Sequence, residues 1–201
     1  MNNKNLLHKK LYPFPVQVGE YTRLREITGD DTSLILNWRN NPEIGSHITF
    51  SLDKLTKKKH EIFLEKYFDE NMNYYFIIEE LNTSKAIGTV SVDNIDVLAK
   101  KAEIGKLLLG VEHRVHVFEV YYLVQRFAFE TLQLNKTYAF QQEANKACKF
   151  MEYLGAKKEG VLRQHYWNGV WCDNIVMWAM FLPDFLELKG RYERMSSAII
   201  N

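Results

Sequence analysis

Ala102-Glu-Ile-Gly-Lys-Leu-Leu-Leu109, the polar corner from Gly110 to His116, and Val117-Phe-Glu-Val-Tyr-Tyr-Leu-Val-Gln-Arg-Phe-Ala-Phe-Glu-Thr-Leu132 form the stretch that decides the fold. Val117, Tyr121, Val124, Ala128 and Leu132 recur at three- and four-residue steps, with Glu119, Arg126 and Glu130 on the other side, the spacing of a helix with one buried face. The segment before the corner is apolar and short, as a strand is. A strand turning sharply into a helix exposes unpaired N–H groups at the positive end of the helix dipole, which is what holding a phosphate requires. This junction is the expected ligand site.

Outward from it, the chain has the size and apolar content for one sizeable core: 201 residues, 46% hydrophobic. Lys and Arg number 26 against 25 Asp and Glu, so the net charge of +1 supplies no global field for nucleic acid or an anionic membrane. Cys148 and Cys172 are far apart and lack metal-ligand or redox spacing, and are expected to be reduced, buried and inert. Neither a signal sequence nor a run long enough to span a bilayer is visible, so a cytoplasmic protein is expected, without nucleic-acid or membrane partners and with a homodimer as its expected assembly.

Pro13 and Pro15 enforce extended backbone, so residues 1–18 read as an arm. Tyr21 to Ile27 reads as a strand, and Asp31 as the cap of a helix carrying Leu34, Ile35 and Trp38 and ending at Asn40-Asn41-Pro42. A second helix is expected from Ser51, through Leu52, Leu55, Ile62, Phe63 and Tyr67, with Lys57 to Lys59 on its solvated face. Tyr74–Leu81, Ala86–Val97 and Lys101–Leu109 read as successive strands, followed after the central helix by a strand at Lys136–Gln142 and a short helix from Asn145 to Leu154. A last hairpin, Val161–Trp167 and Val170–Leu182, turns on Asn168-Gly169 as a two-residue type I′ turn, with a break near Asp173. Residues 19–183 form the domain, and 184–201 a peripheral tail helix. The order of elements implies an α/β (α+β) protein with a mixed sheet flanked by helices.

Several segments resemble the GCN5-related N-acetyltransferase (GNAT) family, in the branch of ribosomal-protein N-terminal and nucleotide-linked amino-sugar acetyltransferases. They are Trp38-Arg39-Asn40-Asn41-Pro42, His60 with Phe63-Leu64, Ala102-Glu103-Ile104-Gly105, Phe127 to Lys136, Asn145-Lys146-Ala147, Leu154 to Gly160, and Asn168-Gly169 with Asp173. The resemblance implies a mostly antiparallel central sheet and acetyl-CoA as acetyl donor, with pantetheine along Leu107, Leu108 and Leu109. It places the pyrophosphate at Arg114, Val115, His116, Val117, Phe118 and Glu119, and a small-molecule amine as acceptor. Two departures stand out. The corner, Glu112-His113-Arg114-Val115-His116-Val117, lacks the family's glycines, and the family's tyrosine acid position falls on Glu152, one residue before Tyr153.

Glu103 lies beside the implied thioester, where desolvation would raise its pKa and suit it to act as base; the alternative is a rim carboxylate paired with Lys101 or Lys106. Tyr153 is the candidate acid, or an aromatic packed in a short helix. Asn145 binds pantetheine or caps its helix. Trp38, Arg39, Asn40, His47, His60 and Trp167 are placed on the acceptor side, the histidines as alternative bases and Trp167, with Tyr166 and Trp171, as a stacking surface or cross-strand pair. No metal site is expected. The preferred acceptor is a nucleotide-linked 4-amino-4,6-dideoxy sugar. The alternatives are a protein N-terminus or a GNAT-fold binding module with weakened chemistry.

Overall fold

Tyr74 to Glu79 is buried without a break, and its side chains are shared alternately between two cores. Tyr74, Phe76 and Ile78 enter one cluster, Tyr75 and Ile77 the other. A strand buried on both faces must lie inside a sheet covered on both sides. The computed structural model, which describes residues 14, 16–45, 54–69, 73–110, 113, 116–145, 148–167 and 169–199, shows this arrangement. Its strands are β1 (Gln17–Val18), β2 (Thr22–Glu26), β3 (Tyr74–Glu80), β4 (Lys85–Asp96), β5 (Lys101–Leu109), β6 (Lys136–Gln142), β7 (Lys157–Trp167) and β8 (Cys172–Phe181). They form one sheet in the order β1-β2-β3-β4-β5-β6-β8-β7, antiparallel at every step except β5–β6. The expected mixed, mostly antiparallel sheet with flanking helices is the observed one.

On one face lie α1 (Thr32–Asn40), α2 (Pro42–Gly45) and α3 (Lys57–Asp69), where Ile35, Leu64 and Tyr67 pack on Tyr75 and Ile77. On the other lie α4 (Val117–Arg126), α5 (Cys148–Tyr153) and α6 (Leu182–Ile199). The larger core is there, around Val120, Leu123, Val124, Phe127, Met151 and Phe185. The central helix continues beyond α4 as a π-helical turn, Phe127–Thr131, closed by the Leu132 N–H donating to the Phe127 carbonyl at 3.0 Å.

Several sequence expectations are corrected. The second helix starts at Lys57 rather than Ser51: the Thr56 hydroxyl accepts from the Lys59 N–H at 3.3 Å and caps it, while Ser51 and Leu52 lie outside the described residues. Asp31 makes no side-chain cap to α1, because its carboxylate turns back to the Thr28 N–H at 2.8 Å and to the Arg25 guanidinium at 2.7 and 2.8 Å. Strand β7 begins at Lys157, not Val161, and pairing closes at Trp167–Cys172, too wide apart in sequence for a two-residue turn. Gly169 there has φ 96°, and Asn168 lies outside the described residues. No break interrupts β8 at Asp173; the irregularity is a bulge in β7, where the Gln164 N–H donates to Asn174 Oδ1 at 2.8 Å. The end of the chain is not peripheral, since Phe185 and Leu188 of α6 are buried in the main core. Cys172 is exposed rather than buried.

Glu119 also departs from its expected place on the polar side of the central helix. It is buried, and its carboxylate accepts from the Glu20 N–H at 2.6 Å, the Tyr21 N–H at 3.1 Å, the Thr22 hydroxyl at 2.7 Å and the Tyr192 hydroxyl at 2.7 Å. One side chain thereby ties α4 to the β1–β2 turn and to α6. The turn accepts it because Gly19 has no Cβ, which would stand 2.5 Å from the Glu119 carboxyl carbon. Replacing this buried acceptor by an amide turns one oxygen into a donor facing donors, so Glu119→Gln should cost about 2–3 kcal/mol. Tyr192→Phe, which removes one of the four donors, should cost about 1 kcal/mol. Urea unfolding checks both as a shift of midpoint at constant slope. An unchanged midpoint in Glu119→Gln would show that the cluster contributes nothing net.

Candidate active site

The parallel pairing of β5 with β6 covers only Lys101–Lys136, Ala102–Thr137 and Glu103–Tyr138. Strand β6 continues against β8 to Gln142, and β5 continues against β4 to Leu109, so the two strands part beyond Glu103 and Tyr138. A bulge accompanies the parting. Between the pairs Thr89–Leu108 and Ser91–Gly105, β5 has one residue more than β4, and Lys106 adopts φ 48°; such an insertion bends and twists a strand. Ile104, Tyr121, Gln125, Thr137, Ala139 and Trp178 line the crevice at the fork. Among the described residues, the edge of β5 turned toward the opening has no strand partner there, and α4, which follows, starts after His116 with no hydrogen bond from that side chain to its first turn. An open strand edge leading to an uncapped helix start fits a ligand that carries amides at one end and phosphates at the other.

Glu103 is the last residue of β5 before the fork. Ala102 and Ile104 beside it face the core under α4, so Glu103 faces the α1–α3 side, opposite Asp93 of β4. Its Oε2 accepts from the Asn94 amide at 2.9 Å. Burial pushes the Glu103 carboxyl above the ordinary carboxylate value, with the nearby Asp93 adding to the rise and Asn94 and Lys106 opposing it. The expected ion pair with Lys101 or Lys106 is not the one made, for Lys106 Nζ binds Asp93 Oδ2 at 2.5 Å. Asp93 further accepts from the Ser91 hydroxyl at 2.6 Å and from the Tyr67 hydroxyl. The Lys106 ammonium lies 4.8 Å from the Tyr67 ring centroid and 5.9 Å from those of Phe63 and Tyr75. Lys106 thus fills the aromatic-walled position beside the buried Asp93, and Glu103 is left as the carboxylate facing this side of the fork without a bonded cation among the described residues.

Tyr153 ends α5 on the opposite face of the sheet. Its ring stacks on Phe150 at 5.5 Å and lies 5.9 Å from Phe118 of α4, while the Arg191 guanidinium sits 4.8 Å over it and donates to the Tyr153 carbonyl at 2.6 Å. Glu103 thus lies on one face of the sheet, and α5 with Tyr153 on the other.

Among the remaining expected residues, Leu108 and Leu109 are buried and Leu107 is 36% exposed. Val117 and Phe118 pack on the main core, and the Glu119 carboxylate is consumed by the β1–β2 turn, so only its backbone remains for a ligand. His116 lies 3.3 Å from Glu80. Asn145 enters α5 with its carbonyl accepting from the Cys148 N–H at 2.9 Å. On the acceptor side, Trp38 packs on the smaller core and Arg39 is half-buried. The Asn40 amide is committed to the Leu55 backbone, donating to its carbonyl at 2.9 Å and accepting from its N–H at 2.8 Å, so its role is to pin the entry to α3. His60 is buried and stacked on Phe63, and burial lowers its pKa, with Arg39 adding to the effect, so its ring is neutral. Trp167 is exposed at the end of β7. Arg114, Val115 and His47 lie outside the described residues. Cys148 is no activated nucleophile, since burial raises its thiol pKa. Reading the sequence missed Asp93, Ser91, Asn94 and Tyr67. The visible signal was Ser91-Val92-Asp93, two polar side chains on one face of an apolar strand.

The acetyltransferase (GNAT) domain family model matches residues 22–157, more than half of the chain. No curated protein matches the sequence. Among solved structures, spermidine N-acetyltransferase from Vibrio cholerae in complex with CoA and spermine superposes with a TM-score of 0.75 at 21% identity, covering 84% of this chain and 99% of that one. A GCN5-related N-acetyltransferase from Brucella melitensis gives 0.77 at 18% identity, with coverages of 95% and 89%. A putative acetyltransferase from T. thermophilus gives 0.76 at 23%, with 92% and 98%. At these identities the likeness speaks for the fold, and among the described residues no helix is long and apolar enough to cross a membrane. With the family model spanning β2 to the start of β7, and the fork and the helix start within it, the chain belongs to the GNAT acetyltransferase family, whose acetyl donor is acetyl-CoA.

Proposed function

We propose that the chain acetylates the primary amine of a small cationic molecule, with Glu103 as general base and Tyr153 as general acid. The observation that carries this is a half-buried carboxylate of raised pKa at the point where β5 and β6 separate. An aliphatic amine is an ammonium at neutral pH and must lose a proton before it can attack, and a carboxylate with a pKa above its usual range is a stronger base for that transfer. Bound acetyl-CoA supplies an activated carbonyl: the C–N bond forms, the C–S bond breaks, and the departing sulfur takes a proton. Tyr153 supplies that proton from the other face of the fork, steadied by Phe118 and Arg191.

The acceptor class follows from the charge of the α1–α3 side. Glu103, to which no cation is bonded among the described residues, favours a cationic aliphatic amine, and one structural neighbour is a spermidine N-acetyltransferase in complex with spermine. The second reading is the nucleotide-linked 4-amino-4,6-dideoxy sugar suggested by Trp38-Arg39-Asn40-Asn41-Pro42. It is favoured by the Arg39 charge, which acts electrostatically on both His60 and Tyr75 and has the sign to meet a phosphate on that side. A panel of polyamines, amino sugars and N-terminal peptides scored by thiol release separates them. Turnover of peptides alone would discard both.

Calorimetry should show acetyl-CoA binding with a dissociation constant in the range of about 1 μM to 1 mM usual for enzyme substrates. No heat at millimolar ligand would leave the chain a fold without this chemistry. Glu103→Gln should lower kcat by about 10²-fold or more with acetyl-CoA affinity unchanged. In the wild type, kcat/KM should rise with pH through a value above the ordinary carboxylate pKa, and this limb should vanish in the variant. The sign for stability is opposite to the usual carboxylate. Because burial favours the neutral form, ionisation costs stability above the raised folded pKa and nothing below the unfolded one, so Glu103→Gln should fold at least as well as the wild type. Wild-type turnover in Glu103→Gln across the pH series would assign the base elsewhere. Tyr153→Phe keeps the ring packing and should slow turnover by about 10²-fold, an effect expected only if the phenol hydrogen takes part.

A further inference from the structure

The corner that departs from the family pattern carries histidines, and the fold brings them to a carboxylate. Glu80 ends β3. His113 lies in the corner after β5, and His116 immediately precedes α4. Glu80 Oε1 stands 3.7 Å from His113 Nδ1 and 3.3 Å from His116 Nε2, and one ligand atom from each of the three residues lies within 4.8 Å of the others. We propose that Glu80, His113 and His116 bind one divalent cation of the zinc class, which fastens the corner before α4 to the end of β3.

The donor set and its spacing support this. Two imidazoles and a carboxylate are the ligands that zinc-class ions take, and bonds of about 2.0–2.1 Å in a tetrahedral shell set donors about 3.3 Å apart. Two of the separations are at or near that value, and the remaining one closes by rotation of partly exposed side chains. The site is also built around its ligands. The Thr83 hydroxyl donates to Glu80 Oε2 at 2.7 Å, orienting the carboxylate and leaving Oε1 toward the histidines. The His113 ring occupies room that a Cβ on Gly110 would crowd, at 3.3 Å from His113 Cδ2. Its backbone is held by the His113 N–H donating to the Gly110 carbonyl at 2.9 Å, and the Gly110 N–H in turn donates to the Ile87 carbonyl at 3.0 Å. Three protein ligands leave a coordination position for water or an anion. The positive end of α4 opposes a cation, and the Glu80 charge offsets it.

Zinc titrated into the tag-free full chain in competition with a chromophoric chelator tests the proposal without any CoA present, so its outcome is independent of the acetyltransferase reading. One zinc per wild-type chain is expected, with binding at least 10-fold weaker in His113→Ala/His116→Ala and weaker in Glu80→Gln. Far-UV circular dichroism reports whether the double variant folds; if it does not, His113→Ala alone, a change in a partly exposed corner residue, takes its place with the same expected loss. No zinc uptake by the wild type, or equal affinity in wild type and folded variant, overturns the site.

Discussion

The candidate active site depends on three residue pairs, Lys101–Lys136, Ala102–Thr137 and Glu103–Tyr138, the parallel step in the otherwise antiparallel sheet of the described residues. Parallel strands need a long crossover, and here the crossover is α4 with its π turn, which returns the chain across the larger core. Had the pairing continued, the sheet would be closed and the two faces sealed from each other. Because it stops at Glu103, where the Lys106 bulge turns β5 away, the two strands part and leave the edge of β5 beside faces that carry different chemistry.

The two faces are stabilised by different means. Under α4, α5 and α6 the packing is almost wholly apolar and aromatic, with Glu119 the one buried carboxylate of α4, satisfied by four donors from two other parts of the chain. On the α1–α3 face, charges are paired: Arg25 joins Asp31 and Glu79, and Lys106 joins Asp93. Arg25 and Arg23 hold the Glu79 carboxyl below its ordinary range against the cost of burial. Among the described residues no cation is bonded to Glu103, whose one side-chain donor is the Asn94 amide, and burial pushes its carboxyl upward. Differences of partner thus separate structural carboxylates from the one suited to proton transfer.

The same distinction applies to the residues read as ligand-binding. Asn40, Glu119 and His60 looked available in sequence because they are polar residues near family motifs. In the fold, Asn40 holds Leu55, Glu119 holds the β1–β2 turn, and His60 is a neutral ring inside the helix–sheet interface. Such groups support the site by positioning backbone, which is a requirement of packing as much as of chemistry.

Local sequence determined what depends on local physics. The helical period from Val117, the alternation in Thr22–Glu26, the β-rich runs from Tyr74 to Leu109 and the order of these elements were legible, and with them the mixed sheet and the strand-to-helix junction. Glu103 could be placed at that junction because its strand is unambiguous. What tertiary structure alone decided involves partners distant in sequence. The Glu119 side chain meets Glu20 and Tyr192, Asp93 meets Tyr67 and Lys106 across a bulge that reverses strand alternation, and Glu80 meets His113 and His116. Periodicity tells which side chains share a face, but a buried polar group takes whichever partner the packing of other elements brings within about 3 Å. No pattern within a single element encodes that distance.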